Sequence, residues 1–226
     1  MPTYKTLPLI SGNIVKLIKQ FEAGPSHIHR PPSHVQGTVN QCNADSLTTA
    51  MEFQNLVQGN KYVQLSPADL FCRIRQPDGN SYIGDAIAEA RVNGVGFASV
   101  SGTVYKPSMT VSSDTDRAKN RIKDIFWCPT FEHVLHATIY GFGLISPLTW
   151  YTGYKPDSLG WLPPKGGGSA FGHAMFGFKP TFRIENGKID FAVWYMQSYG
   201  NSNPNFENCY ALNKSIITQG FAIAQV

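Results

Sequence analysis

The sequence predicts an α+β fold, with helices gathered in its first half and strands in its second. Three observations carry this. Ala44, Leu47, Ala50 and Met51 recur at i, i+3, i+6 and i+7, one face of a helix that begins near Cys42. Leu65-Ser66-Pro67 opens another helix, with serine at the N-cap and proline in the first turn. Further on the pattern changes, and His136-Ala137-Thr138-Ile139-Tyr140-Gly141-Phe142 alternates as a strand does. A chain of 226 residues suffices for a sizeable core, as one or two lobes around one site. Its 42% hydrophobic and 15% charged residues exclude a disordered chain.

Taken in order, residues 1–12 read as extended and loose. Asn13 to Phe21 fits a helix or a strand, and its periodicity does not decide. Ala23 to Ser33 reads as loop, from Gly24-Pro25 and Pro31-Pro32. This region carries His27, His29 and His34. A His-x-His pair is metal-ligand chemistry, but no carboxylate or cysteine of suitable spacing joins it. The histidines therefore read as solvated, and no metal is expected. The cysteine helix follows, with Asn40 and Asn43 as candidate caps. Gly59-Asn60 makes a turn before the Leu65–Cys72 helix. Asp78-Gly79-Asn80-Ser81 precedes a helix from Ile83 to Asn93, which Gly94 closes. From Gly96 to Tyr105 the chain turns Val/Ser/Thr-rich and the helical part ends. Ser112 to Lys119 reads as a loop capping a short helix, and Phe131 to Leu135 as a helical segment before the alternating strand. A long loop, Ser146 to Ser169, holds Trp150, Tyr151, Tyr154 and Trp161. These aromatics either line a binding cleft or pack the loop onto the strands.

Charge and composition exclude several classes of function. The net charge is +4, without a Lys/Arg run or an interleaved basic-aromatic stripe, so no nucleic-acid partner is expected. No apolar run reaches about 18 residues, so no membrane span is expected. Thr6-Leu7-Pro8-Leu9-Ile10 is too short and Pro-broken for a signal peptide. The four cysteines, Cys42, Cys72, Cys128 and Cys209, form no close pair of zinc-ligand type. They fit a thiol-reduced setting, cytoplasmic or virion-associated. Nothing in the sequence asks for a cofactor. Chemistry concentrates at Cys42. The dipole and free N–H groups of a helix start favour negative charge, so a thiol there is expected to ionise more easily. Gln36, six residues upstream, can supply an N–H donor to a developing oxyanion.

Gln36-Gly37 followed by Cys42 resembles the papain-like (C1 and C1-like) cysteine peptidases. Their signature runs Gln-Gly, a few small residues, then the nucleophilic cysteine at a helix start. Cys42-Asn43-Ala44 and Ala50-Met51-Glu52-Phe53 are similar to the propeptide-less bacterial and phage members. The chain departs at Asn40-Gln41, where Gly-Ser is usual, and lacks the aromatic after the cysteine. Secreted members use a Cys in this stretch for a disulfide, which this chain does not have. Phe171-Gly172-His173-Ala174 looks like the way the family presents its catalytic imidazole as a strand begins. His173 lies 131 residues after Cys42; in papain and cathepsin enzymes the distance is roughly 130–150 residues. Gln197-Ser198-Tyr199-Gly200 stands where the family has Asn-Ser-Trp-Gly, with the amide one methylene longer. Phe206-Glu207-Asn208-Cys209-Tyr210 is similar to the family's Gly-Glu-Asn-Gly-Tyr strand. The resemblance runs from about Pro32 to Leu212.

The resemblance implies a single papain-like domain of two lobes with a cleft between them. A helical lobe would span about residues 36–105 and a β-barrel-like lobe about 106–226, with 1–35 as an extended arm. It implies peptide-bond hydrolysis by a Cys-His nucleophilic mechanism. The catalytic residues would be Cys42, His173, Gln197 (orienting the imidazole) and Gln36. Substrate would meet Gly79, Asn80, Trp161 and Gly172, the first two as a strip that pairs with an extended peptide. The substrate would be a protein, a peptide or a peptidoglycan peptide. The alternative is a catalytically impaired papain-fold protein that binds or builds, for instance in a phage tail or virion with assembly partners. A peptidoglycan amidase of NlpC/P60 type also orders Cys before His, but at a far shorter spacing.

Overall fold

A computed structural model describes residues 4–23, 30–198 and 207–226. In chain order the elements are β1 (Lys5–Thr6), α1 (Ile14–Ala23), α2 (Cys42–Val57), α3 (Pro67–Ile74), α4 (Ile83–Val92), α5 (Ala98–Ser101) and α6 (Asp114–Arg117). Then come β2 (Asp124–Cys128), α7 (Phe131–Ile139), β3 (Gly143–Gly153), β4 (Gly167–Glu185), β5 (Lys188–Met196), β6 (Cys209–Asn213) and β7 (Gly220–Gln225). The seven strands form one sheet in the order β1-β2-β7-β3-β4-β5-β6. All pairs are antiparallel except β1 beside β2. No helix among the described residues is long and apolar enough to cross a membrane.

The α2 helix is the centre of the molecule. Every residue from Ala44 to Gln54 is buried. Ala44, Leu47, Ala50, Met51 and Phe53 share one core with α3 and α4 (Leu70, Phe71, Ala86, Ile87) and with the β4 residues Ala174, Phe176 and Phe178. Complete burial of such a Leu, Met or Phe side chain stabilises the fold by about 1.5–3 kcal/mol. A second core lies around α7 and the sheet, where Val134, Leu135 and Ala137 meet Leu144, Met175 and Tyr195. The helix approaches β3 so closely that a Cβ on Gly143 would stand 2.6 Å from the Ala50 carbonyl oxygen. Only glycine fits there. Gln54 Oε1 accepts the Gly143 N–H at 3.2 Å.

The capped helices form as their sequences require. The Ser66 side chain accepts from the Asp69 N–H, with Pro67 in the first turn of α3. Gly94, at φ +84°, follows α4 and α6 opens on a Ser113 cap. Asp69 is buried, accepts from Ser112 N at 2.9 Å and Gly96 N at 3.2 Å, and faces the buried Arg117. Arg117 Nη2 pairs with Glu89 at 2.6 Å.

Several expectations are corrected. His136–Phe142 is not a strand: α7, capped by Thr130, continues to Ile139, and its residues from Val134 to Thr138 are all buried. Ser146–Ser169 is not one loop, since β3 runs on to Gly153 and β4 begins at Gly167. The N-terminal arm is not loose. β1 pairs with Phe126 and Trp127, Leu7 is buried, and Asn13–Phe21 resolves as the helix α1. His34 is not a solvated loop histidine, because its Nε2 pairs with buried Glu52 Oε1 at 3.0 Å. His27, His29, Tyr199, Gly200 and Phe206 lie outside the described residues.

Candidate active site

Cys42 opens α2 and is half-buried. Neither Asn40 nor Asn43 caps the helix; Gln41 holds the N-cap position without a side-chain cap bond. The asparagines bind sideways instead. Asn43 Nδ2 donates to the Ser81 carbonyl at 2.8 Å, and Asn40 Nδ2 to Asn80 Oδ1 at 3.3 Å. Gln41 is fully buried. Its Nε2 donates to Thr103 O at 2.8 Å and to Asp45 Oδ1 at 3.1 Å, and its Oε1 accepts from Tyr105 N at 3.0 Å. The unusual Asn40-Gln41 pair thus ties the cysteine loop to residues 80–81 and 103–105.

Cys42, Gln36 and His173 line one cleft of about 710 Å³, together with Asn80 and Gly172. The helical wall is Asn40, Asn43 and Ser81 to Ile83; the sheet wall is Pro147, Leu148 and Phe171. His173 sits on β4 opposite Leu148. Its Nε2 is 2.6 Å from Gln197 Oε1, just past the end of β5. The Ser198 backbone N–H donates to the same oxygen at 2.8 Å. That second donor identifies the atom as the amide oxygen, so His173 Nε2 is the protonated nitrogen and Nδ1 is the basic one. The imidazole is flanked edge-on by Trp150 at 5.8 Å and Phe171 at 6.2 Å. Ser46 Oγ donates to Ala174 O at 2.9 Å, fastening the cysteine helix to the residue after the histidine.

Gln36 is buried and fully directed. Its Oε1 accepts from Ser198 Oγ at 2.6 Å, and its Nε2 donates to Val39 O at 3.0 Å. An amide carries two N–H bonds, so one remains beyond the bond to Val39, on a residue that lines the cleft. The Cys42 N–H, at the first position of α2, lies among those with no acceptor inside the helix. Gln36 and Cys42 thus bring two such donors to one cleft.

Electrostatics differ from expectation. Burial pushes the Cys42 thiol up; the nearby Ala174 N–H pulls it down, and the Asp45 charge raises it further. The cost of burying a thiolate outweighs the help of the helix start. Burial also pushes His173 down to about 4, against the Gln197 hydrogen bond. Both shifts favour a neutral thiol and a neutral imidazole.

Two expected substrate residues stand elsewhere. Gly79 occupies a turn at φ +83°, its N–H given to Gln76 O at 2.9 Å, and does not line the cleft. Trp161 is buried against Ala192 and Ala211 beneath Arg183, whose guanidinium lies 4.3 Å from the ring centroid. Gly172 does face the cleft, and a Cβ there would meet nothing within 4 Å. Asp45 and Glu52, on the cysteine helix, and His34, on the segment before it, are all buried. The sequence reading gave the two acids no role and took His34 as solvated; two acids seven residues apart on a helix read as its wet face.

The sequence matches no family model and no curated protein. Solved structures do match. Xylellain, a cysteine protease from Xylella fastidiosa, aligns with a TM-score of 0.67 at 14% identity, over 100% of this chain and 99% of that one. The clostridial cysteine protease Cwp84 after propeptide cleavage aligns with a TM-score of 0.69 at 15% identity, over 88% of this chain and 56% of that one. Procathepsin B S9 from Trypanosoma congolense aligns with a TM-score of 0.67 at 12% identity, over 98% and 82%. The phage and virion expectation finds no support among these structures.

Proposed function

The chain has the papain-like fold, and from that premise we propose that it is a cysteine peptidase in which Cys42 and His173 do the chemistry. The observation that carries this is the His173 imidazole, held through Nε2 by a fixed amide oxygen, in the same cleft as a thiol at a helix start. In the proposed reaction Cys42 Sγ attacks the peptide carbonyl while its proton passes to His173 Nδ1. Neither charge is favoured alone in the cleft, but each stabilises the other once both form. The Gln36 amide and the Cys42 N–H receive the oxyanion; one such donor is worth on the order of a hundredfold in rate. His173 then gives its proton to the leaving amine, and a thioester remains. Water attacks the thioester, losing its proton to His173, and the acid and the free thiol are released. The substrate is a polypeptide, or the peptide of a peptidoglycan cross-bridge, that reaches the cleft between Asn80–Ile83 and Leu148–Phe171.

One observation favours an inert binding protein instead: burial opposes ionisation of both partners. The deciding experiment offers casein, a peptide library and purified muropeptides to the wild type, Cys42→Ala and His173→Ala. Hydrolysis by the wild type that Cys42→Ala abolishes, and that His173→Ala lowers at least about a hundredfold, is the expected result. Hydrolysis unchanged in Cys42→Ala would overturn the assignment. A wild type inert toward every substrate would leave the binding protein as the better reading.

A further inference from the structure

Beneath Cys42 lies a polar group that the proposed reaction does not use. Asp45 follows Cys42 by three residues, so both side chains lie on one face of α2. It is 1% exposed. Its Oδ1 receives the Gln41 amide at 3.1 Å, while its Oδ2 is buried with no hydrogen-bond partner among the described residues. An ionised carboxylate would leave a charged Oδ2 bare in the interior, whereas a protonated one leaves only a neutral hydroxyl there, the less costly state. His34, from the segment before α2, is the cation near Asp45, and it is already paired with Glu52. Glu52 Oε1 also takes the Leu65 N–H at 2.7 Å, and its Oε2 the Tyr62 hydroxyl at 3.3 Å. While His34 keeps its proton, the His34–Glu52 bond holds that pair together. Ionisation of Asp45 then adds a negative charge on the face that carries Cys42.

We propose that Asp45 is a positioning residue for the Cys42–His173 pair, acting through its charge: protonated, it lets the thiol ionise; ionised, it holds the thiol proton in place. The proposal rests on Cys42 being the nucleophile. The groups facing Asp45 are Cys42 and Gln41 from its own helix and His34 from the preceding segment. Glu52 lies behind His34, and His173 stands across the cleft on β4. Burial lifts the Asp45 carboxyl to about 7, with the His34 charge and the Gln41 bond pulling it back. The acid therefore changes state near neutral pH, and the thiol is easiest to ionise on the acid side of that change.

The test is the pH profile of iodoacetamide alkylation of the full chain, with Cys42 followed by peptide mass spectrometry because Cys72 is exposed and also reacts. Asp45→Asn keeps an oxygen for Gln41 and removes the charge. It is expected to move the Cys42 midpoint down by roughly one unit, the scale set by a like charge one helical turn away. A profile superimposable on the wild type overturns the proposal. Should Asp45→Asn fail to fold, the carboxyl ¹³C resonance of Asp45 in the wild type answers instead. A midpoint near neutrality supports the proposal, and a flat signal from about pH 5 to 9 overturns it. Neither readout needs a substrate. A chain that cleaves nothing therefore defeats the peptidase reading without deciding this one, and a working peptidase with an unmoved profile does the reverse.

Discussion

One methylene separates glutamine from the asparagine of papain-like enzymes, and in this chain Gln197 uses it. Its oxygen reaches His173 Nε2 at 2.6 Å while anchored to Ser198 N at 2.8 Å. A shorter side chain on the same backbone withdraws that oxygen by about one bond length. Gln197→Asn is therefore expected to lower kcat/KM roughly a hundredfold, the cost of a misplacement of about 1 Å, with kcat carrying the loss and KM unmoved. Equal activity in the variant would mean that the amide does not orient the ring. The pairing of this residue with His173 was legible because the motif around it is ordered along the chain. Asp45, His34 and Glu52 were not, for a physical reason. The α2 sequence alternates small, hydroxyl and acidic residues, which a periodicity reading assigns to a solvated face. The fold buries every residue of it from Ala44 to Gln54, pairs Glu52 with His34 and Asp45 Oδ1 with Gln41, and leaves Asp45 Oδ2 without a hydrogen-bond partner.

At the scale of elements, the loop before α2 is held by hydrogen bonds where secreted papain-like enzymes use a disulfide. The Gln41 side chain makes three bonds, two of them to the backbone of residues 103–105. Gln41→Ala leaves the half-buried Thr103 carbonyl and Tyr105 N–H, and the buried Asp45 Oδ1, without that partner. The expected loss is roughly 2–4 kcal/mol of unfolding free energy, with faster amide exchange at Thr103 and Tyr105. Denaturant unfolding and hydrogen exchange read both. An unchanged midpoint would show that water replaces the amide without cost. Helix starts carrying their own chemistry were legible here: Ser66-Pro67, Ser113 and Gly94 each mark an end where the fold has one. The α7–β3 boundary was not. The letters of His136–Phe142 alternate, but burial runs unbroken from Val134 to Thr138, so tertiary packing and not the pattern decides.

The whole molecule gathers its titrating groups around α2, and their signs predict how its stability follows pH. His173 has its folded value lowered to about 4 from 6.5, so it costs stability as pH falls below 6.5. Asp45 has its folded value raised to about 7 from 3.8, so it costs stability as pH rises above 3.8, in full by pH 7 and beyond. His34 is raised as well: burial works against it, but its bond to Glu52 and the charges of Glu52 and Asp45 prevail. Its contribution is full below 6.5 and is lost as pH rises. Between about pH 4 and 6.5 the His173 and Asp45 effects oppose each other and largely cancel. Above about 6.5 only the two losses remain, so the wild type should become less stable from there toward pH 8. Asp45→Asn separates the contributions. It should gain on the order of 2–4 kcal/mol over the wild type at pH 8 and almost nothing near pH 4. Its own stability should rise with pH across the window where the wild type is flat, because the His173 effect is then unopposed. Urea unfolding of both chains at intervals from pH 4 to 8 measures this. A difference between them that does not vary with pH would mean that Asp45 holds one protonation state throughout, with no switching charge beneath the thiol.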